Sequence, residues 1–139
     1  MAVDTDTGEI EVLNYAAVTD IGRIVFNQGM YAQGEAGVDH MFAQGLYWDF
    51  VIDPATGAML NPSFLNHRFP GSLDLPLDKY SVAILEGDSA VGPYGATGAG
   101  EPVSSNYACI SQAVYNAIGV WVTDSPMHPW RVLKALGKA

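Results

Sequence analysis

The chain has 139 residues, 49% of them hydrophobic and only 15% charged, with 15 Gly, 8 Pro, one Cys and a formal net charge of −9. Six Lys plus Arg against fifteen Asp plus Glu leave no basic footprint to neutralise phosphates, which argues against nucleic acid as a partner. A single Cys rules out a disulfide framework, a cysteine-rich zinc site and an iron–sulfur cluster held by this chain alone.

Asp4-Thr5-Asp6-Thr7-Gly8 has turn chemistry: short polar side chains that bond nearby backbone, then a glycine free to turn left-handed. A strand is predicted over 9–19, from Ile10, Val12, Leu13, Tyr15, Ala17 and Val18. Only Met1, Ala2 and Val3 precede the turn, so the leading strand should be almost absent and the next should expose an edge. The 3–4 spacing of Val38, Met41, Phe42, Gly45, Leu46, Asp49 and Phe50 predicts a helix over about 34–49. Asp53-Pro54-Ala55-Thr56-Gly57 repeats the turn chemistry and predicts a second hairpin. Tyr80 to Leu85 reads as a strand, and the glycine-rich stretch from Gly92 to Gly100 as a loop. Ser104 or Ser105 should cap a helix with apolar face Tyr107, Ile110, Val114, Ala117 and Ile118, closed by Gly119. A short strand over 120–122 follows, then a last helix from near Pro129, with Lys134 and Lys138 at its negative end. Strands and helices mix without strict βαβ alternation, linker or repeat, which predicts one α+β domain over 1–139.

A charged fraction of 15%, against a usual value of about 25%, leaves apolar surface to be covered by another chain. No apolar run approaches the ~18 residues of a membrane span. The opening Met1-Ala2-Val3-Asp4-Thr5-Asp6 has neither the basic nor the apolar part of a secretory leader, so cytoplasm is the expected compartment.

Asp6-Thr7-Gly8 matches the aspartic-protease triplet, but its carboxylate lies in a polar turn rather than at a sheltered interface, and the turn reading wins. Four glycines among residues 92–100 let backbone approach a bulky anionic or planar ligand, although no Lys follows as a P-loop requires. Glu101 stands between Gly100 and Pro102 in a semi-rigid frame. Buried by a ligand, its carboxylate would be pushed toward the pKa range of a general base; the competing role is a favourable charge at a helix start. Cys109 reads as a packing residue, His40 and His128 as surface or capping residues, and Trp48, Trp121 and Trp130 as packing or partner-facing.

Gly95-Ala96-Thr97-Gly98-Ala99-Gly100-Glu101-Pro102 resembles the glycine-rich, glutamate-containing segment of the xanthine dehydrogenase / aldehyde oxidase family of molybdenum hydroxylases. Other segments agree in order: Asp4 to Ile10, Asp20-Ile21-Gly22-Arg23, Ala43-Gln44-Gly45-Leu46, Asn61-Pro62-Ser63-Phe64 through Arg68 and Pro70, Val114 to Gly119, and Pro129 to Leu133. The resemblance covers nearly the whole chain, and only the C-terminal end of the family's molybdopterin-binding subunit. It implies a portion of the cofactor-binding domain, completed by a partner chain carrying the remaining molybdopterin-binding subunit.

By the same resemblance, Glu101 is the catalytic base toward Mo–OH, while Gly98, Ala99, Gly100 and Gln33 contact the cofactor. The pterin, rather than protein side chains, holds the metal. The implied cofactor is molybdenum–molybdopterin in its cytosine dinucleotide form, with iron–sulfur clusters and FAD on other subunits. The implied reaction hydroxylates an aldehyde or (hetero)aromatic carbon with water-derived oxygen, in a complex and not in this chain alone. Two alternatives stand beside it: a non-catalytic structural or assembly subunit, and a reductive dehydroxylase of the same family. Thr97 replaces the family's common Lys, His67 its usual Tyr, and the stretch from Asn27 to Gly45 is about four residues longer than the family pattern.

Overall fold

The Asp4 carboxylate accepts backbone N–H bonds from Asp6 (2.8 Å) and Thr7 (3.1 Å), and these bonds hold its pKa below the ordinary carboxylate value. Gly8 completes the turn at φ +79°. In the computed structural model, which describes residues 1–75, 77–88, 91–100 and 107–139, this turn joins β1 (Ala2–Val3) to β2 (Ile10–Glu11). The two pair antiparallel, Ala2 with Glu11 and Val3 with Ile10, so a leading strand does form from the three residues before the turn. The second turn behaves as expected: Gly57 lies at φ +72°, Asp53 N–H donates to Ala58 O (2.9 Å), and Ile52 bridges Met59.

The single strand expected over 9–19 is broken in two. The chain leaves β2 at Val12-Leu13-Asn14, where Val12 turns into the core and Leu13 is 52% exposed, and enters β3 (Tyr15–Asp20) in another sheet. There β3 runs parallel to β4 (Tyr80–Leu85), from Tyr15 opposite Tyr80 to Asp20 opposite Leu85. Parallel strands need a crossover. Part of it is α1 (Asn27–Phe42), which begins well before the expected 34. Its first turn holds no acidic residue and its N-cap makes no side-chain bond, and Gly29 and Gly34 lower its helical propensity, so its opening carries no signal in the sequence. Gly34 is needed for packing: a Cβ there would lie 2.4 Å from Val82 Cγ1 on β4.

After Phe42 the helix widens into a π-helical turn, Ala43–Tyr47, closed by Trp48 N–H to Ala43 O (2.7 Å). Widening frees carbonyls, and the segment before the last helix takes them: Met127 N–H donates to Gly45 O (2.6 Å) and Ser125 Oγ to Gln44 O (2.8 Å). A Cβ at Gly45 would lie 2.7 Å from Ile110 Cδ1, so glycine lets α2 (Tyr107–Ile118) pack close. Gly119 closes α2 at φ +74° as expected. The capping site at Ser104 or Ser105 lies outside the described residues.

The strand expected over 120–122 does not form. Val122 is buried, Trp121 stacks on Tyr115 at 4.4 Å, and residues 120–122 pair with no strand among the described residues. α3 (Pro129–Ala135) starts on its proline. Lys134 lies in its last turn as expected, whereas Lys138 reaches away to the first turn, with Nζ 2.7 Å from Thr5 O and 2.9 Å from Asp6 Oδ1. The core gathers Val12, Val38, Met41, Phe42, Ile110, Val114, Val122, Met127 and Val132, so every helix contributes. Ala117, expected on the apolar face of α2, is exposed. No helix among the described residues is long and apolar enough to cross a membrane.

Candidate functional site

At the carboxyl ends of parallel strands, chain reversals and helix starts leave a crevice in which α/β proteins bind ligands. Here that end carries the glycine-rich loop. Ile21 O accepts the Thr97 N–H (3.0 Å), Gly95 O accepts the Arg23 N–H (2.8 Å), and Gly22 bridges Ala96. The loop is thereby fixed just beyond Asp20, the last residue of β3, and shortly before α1 begins.

Its conformation explains its composition. Residues 93–95 make one tight turn, closed by Gly95 N–H to Gly92 O (2.9 Å) and Ala96 N–H to Pro93 O (3.1 Å). Tyr94 and Gly95 are both left-handed, at φ +56° and +79°. A Cβ at Gly92 would lie 1.6 Å from Ala96 O, so no other residue closes the turn.

Two carboxylates brace this end. Asp20 Oδ1 accepts the N–H of Gly22 (2.9 Å) and of Gly87 (3.1 Å), tying together the chain leaving β3 and the chain leaving β4. Glu86 Oε1 accepts the Ile24 N–H (3.0 Å). Sequence reasoning missed Asp20, Glu86 and Gly87 as supports. Asp followed two residues later by Gly is an Asx-turn signal that marks Asp20, whereas its bond to Gly87 spans 67 residues and leaves no local trace.

Past Thr97, Gly98 and Gly100 are exposed and Ala99 is half-buried, and none of the three pairs its backbone with another described residue. A Cβ at Gly100 would meet nothing within 4 Å. Bare backbone whose N–H and C=O groups have no partner among the described residues fits a flat, polar, anionic ligand such as a pterin. Gln33 is exposed on α1, about 9 Å along the axis from the helix start at a rise of ~1.5 Å per residue, and no hydrogen bond joins it to the loop among the described residues. Glu101, with Pro102, lies outside the described residues.

A second polar cluster lies elsewhere. Asp49 meets Arg131 Nη2 (3.3 Å) and His128 Nε2 (3.4 Å), and Arg131 Nη1 donates to Pro126 O (2.8 Å). Burial pulls the His128 imidazole below its ordinary value, with Asp49 opposing the shift. Asn61, buried to 8% exposure, donates to Asp49 O and accepts the Val51 N–H (3.0 Å). The Asp49–Arg131 pair joins residues 82 apart, beyond any motif spacing. His67 lies among rings, 5.2 Å from Phe50 and 6.2 Å from Trp48, which suits a position where the resembled family has an aromatic. His40 is exposed, and its edge meets Trp48. A cavity of about 780 Å³ lies by β1, β2, Tyr47, Arg68 and His128, and no described residue of the glycine loop lines it. Among the described residues no three His, Cys, Asp or Glu gather as metal ligands do.

Residues 1–76, more than half of the chain, match the family model described as molybdopterin cofactor-binding domain. The probable hypoxanthine oxidase XdhD of Escherichia coli is 27% identical over 143 residues, covering 99% of this chain and 14% of that protein. The aldehyde oxidoreductase molybdenum-binding subunit PaoC of Escherichia coli is 30% identical over 138 residues, covering 98% of this chain and 19% of its own length. The structure of CO dehydrogenase from Oligotropha carboxidovorans superposes with a TM-score of 0.83 at 26% identity, over 98% of this chain and 17% of the other. The chain thus spans less than a fifth of the relatives it matches. Its match over residues 1–76 and its likeness along nearly the full length place it in one family: this chain belongs to the molybdopterin cofactor-binding domain family of xanthine dehydrogenase and aldehyde oxidoreductase type.

Proposed function

We propose that this chain is the C-terminal segment of a molybdenum hydroxylase's cofactor-binding subunit, and that it presents the segment from Gly98 to Glu101 to molybdopterin. The observation that supports this is the Gly22–Ala96 bridge, which fixes the glycine loop just before that segment at the carboxyl ends of β3 and β4. Bound there, the cofactor would supply the chemistry of a two-electron oxidation of a substrate carbon, the oxygen coming from water. Gly98, Ala99 and Gly100 offer backbone donors and acceptors to the cofactor with almost no side chain in the way. Gln33 is a further contact through its side-chain amide. Glu101 accepts the proton released as the oxygen is delivered. Desolvation by cofactor and substrate raises its pKa toward the working pH, where a carboxylate serves best as a base.

The relatives' names put aldehydes and purines among the substrates of this family, and an aldehyde or (hetero)aromatic carbon is the substrate class proposed here. The cytosine dinucleotide form of the cofactor, iron–sulfur and flavin subunits as partners, and the cytoplasm as compartment complete the reading. The test is Glu101→Gln in the assembled complex. Turnover should fall about 10²–10⁴-fold, the usual contribution of a general base, while molybdenum content by mass spectrometry stays unchanged. Turnover at the wild-type rate removes Glu101 from the reaction.

A further inference from the structure

The residues that hold the glycine loop are themselves held by carboxylates. Three consecutive amides after Ile21 each have a partner: Gly22 N–H donates to Asp20 Oδ1 (2.9 Å), Arg23 N–H to Gly95 O (2.8 Å) and Ile24 N–H to Glu86 Oε1 (3.0 Å). Gly22 is left-handed, at φ +63°, and the Asp20 carboxylate closes the turn that contains it. The same oxygen accepts the Gly87 N–H (3.1 Å), so one atom ties down the chain leaving both strands.

Stability alone does not account for this arrangement. Asp20 and Glu86 are exposed and neither belongs to the hydrophobic core. A surface hydrogen bond adds little net stability, because water offers the same bond to the unfolded chain. What the arrangement supplies is direction. Residues 21–23 hold the loop at Gly95, Ala96 and Thr97, and Thr97 stands four residues before Glu101. The stretch between them, Gly98-Ala99-Gly100, has two glycines and no backbone partner among the described residues, so it contributes little stiffness of its own. The place of Glu101 then depends on how firmly Thr97 is rooted.

We infer that Asp20 is a positioning residue for the reaction: its carboxylate sets residues 21–24, these set Gly95 to Thr97, and the loop sets the point from which Glu101 works. The inference rests on the proposed function and deepens it. Asp20 acts as a hydrogen-bond acceptor for Gly22 and Gly87, and it acts only through the loop. Gly87 belongs to the same device, since a Cβ there would lie 2.1 Å from Asp20 Oδ2 and push the carboxylate away.

The test uses the molybdenum-loaded holoenzyme that contains this chain, with benzaldehyde and hypoxanthine as substrates. Asp20→Ala removes the acceptor and should lower kcat about 10–100-fold, the cost of an ångström-scale misplacement, with KM within about threefold and molybdenum content unchanged. Asp20→Asn keeps an acceptor oxygen and should hold kcat within about threefold of the wild type. Gly87→Ala displaces the carboxylate without removing it and should repeat the loss. Hydrogen exchange reads the loop without turnover. The Thr97 amide, bonded to Ile21 O, should exchange at least about tenfold faster in Asp20→Ala, while the Met127 amide, bonded to Gly45 O, keeps its wild-type rate. Should Asp20→Ala fail to fold, Asp20→Asn compared with Gly87→Ala decides. Wild-type kcat in Asp20→Ala overturns the inference, as does an Asp20→Asn as slow as Asp20→Ala, or a loss of kcat matched by a loss of molybdenum. A wild type that turns over neither substrate, or a Glu101→Gln as fast as the wild type, sinks the functional reading. Unchanged Thr97 exchange in Asp20→Ala sinks the inference and leaves that reading standing.

Discussion

Asp20 and Gly87 are in contact at the ends of two parallel strands: the Gly87 N–H donates to Asp20 Oδ1, and a methyl on Gly87 would lie 2.1 Å from Oδ2. The carboxylate therefore requires a glycine opposite it. Gly87→Ala should displace Asp20, lose the shared bond and cost about 1–2 kcal/mol. In an Asp20→Ala background the same change should cost less than about 0.5 kcal/mol, because the obstacle is gone. A double-mutant cycle by urea denaturation measures this, and strict additivity would mean that the two residues are not coupled.

Helix α1 approaches β4 through Gly34, with room for hydrogen and nothing larger. Gly34→Ala gains helical propensity of about 1 kcal/mol yet should destabilise by about 1–3 kcal/mol through overpacking against Val82. Val82→Ala should recover most of that loss in the double variant. Thermal melts of the four proteins suffice, and a more stable Gly34→Ala would show that the helix can shift at little cost.

Asn61 is the buried polar side chain of the described core region, and both ends of its amide are used. Asn61→Leu keeps the bulk and leaves the Val51 N–H and the Asp49 carbonyl without partners. A loss of about 1–3 kcal/mol is expected, seen as a lower denaturation midpoint at unchanged slope. An unchanged midpoint would mean that water replaces the amide.

His128 gives stability a pH dependence. Its folded-state pKa is depressed, first by burial and then by Arg131, against the pull of Asp49, so the unfolded chain binds the proton more readily. Stability contributed above the ordinary pKa of about 6.5 is therefore lost as pH falls through that value toward the depressed one. His128→Gln should lose less melting temperature between pH 8 and pH 5.5 than the wild type. Parallel pH profiles for the two proteins would show that the imidazole is not the group responsible.

Local chemistry was legible wherever one turn decides the backbone. Asp4 to Gly8, Asp53 to Gly57 and Gly119 adopt the expected conformations because a carboxylate or a glycine acts within a few residues. β4 keeps its expected bounds because Tyr80, Val82 and Ile84, residues that favour strands, fall at every second position. Where tertiary contacts decide, the reading failed. Gly34 looks unfavourable for a helix until Val82 is seen against it, and the break between β2 and β3 depends on which strand each finds as partner. The glycine loop was legible as a loop, since its glycines allow the tight turn at 93–95. Its supports were not, because Asp20 meets Gly87, and Glu86 meets Ile24, only once the strands are side by side.

The first turn and the last helix close on each other. Lys138 binds Thr5 and Asp6, and Gly8 lies so near Pro129 that a Cβ there would be 2.2 Å from its carbonyl oxygen. Contacts of such separation make nucleation slow, since the intervening loop entropy is lost before they form. During synthesis the contacts of the first turn with Pro129 and Lys138 cannot form until α3 and the residues after it have left the exit tunnel. Until then the two ends of the chain stay apart, and the last step of closure belongs to the end of synthesis.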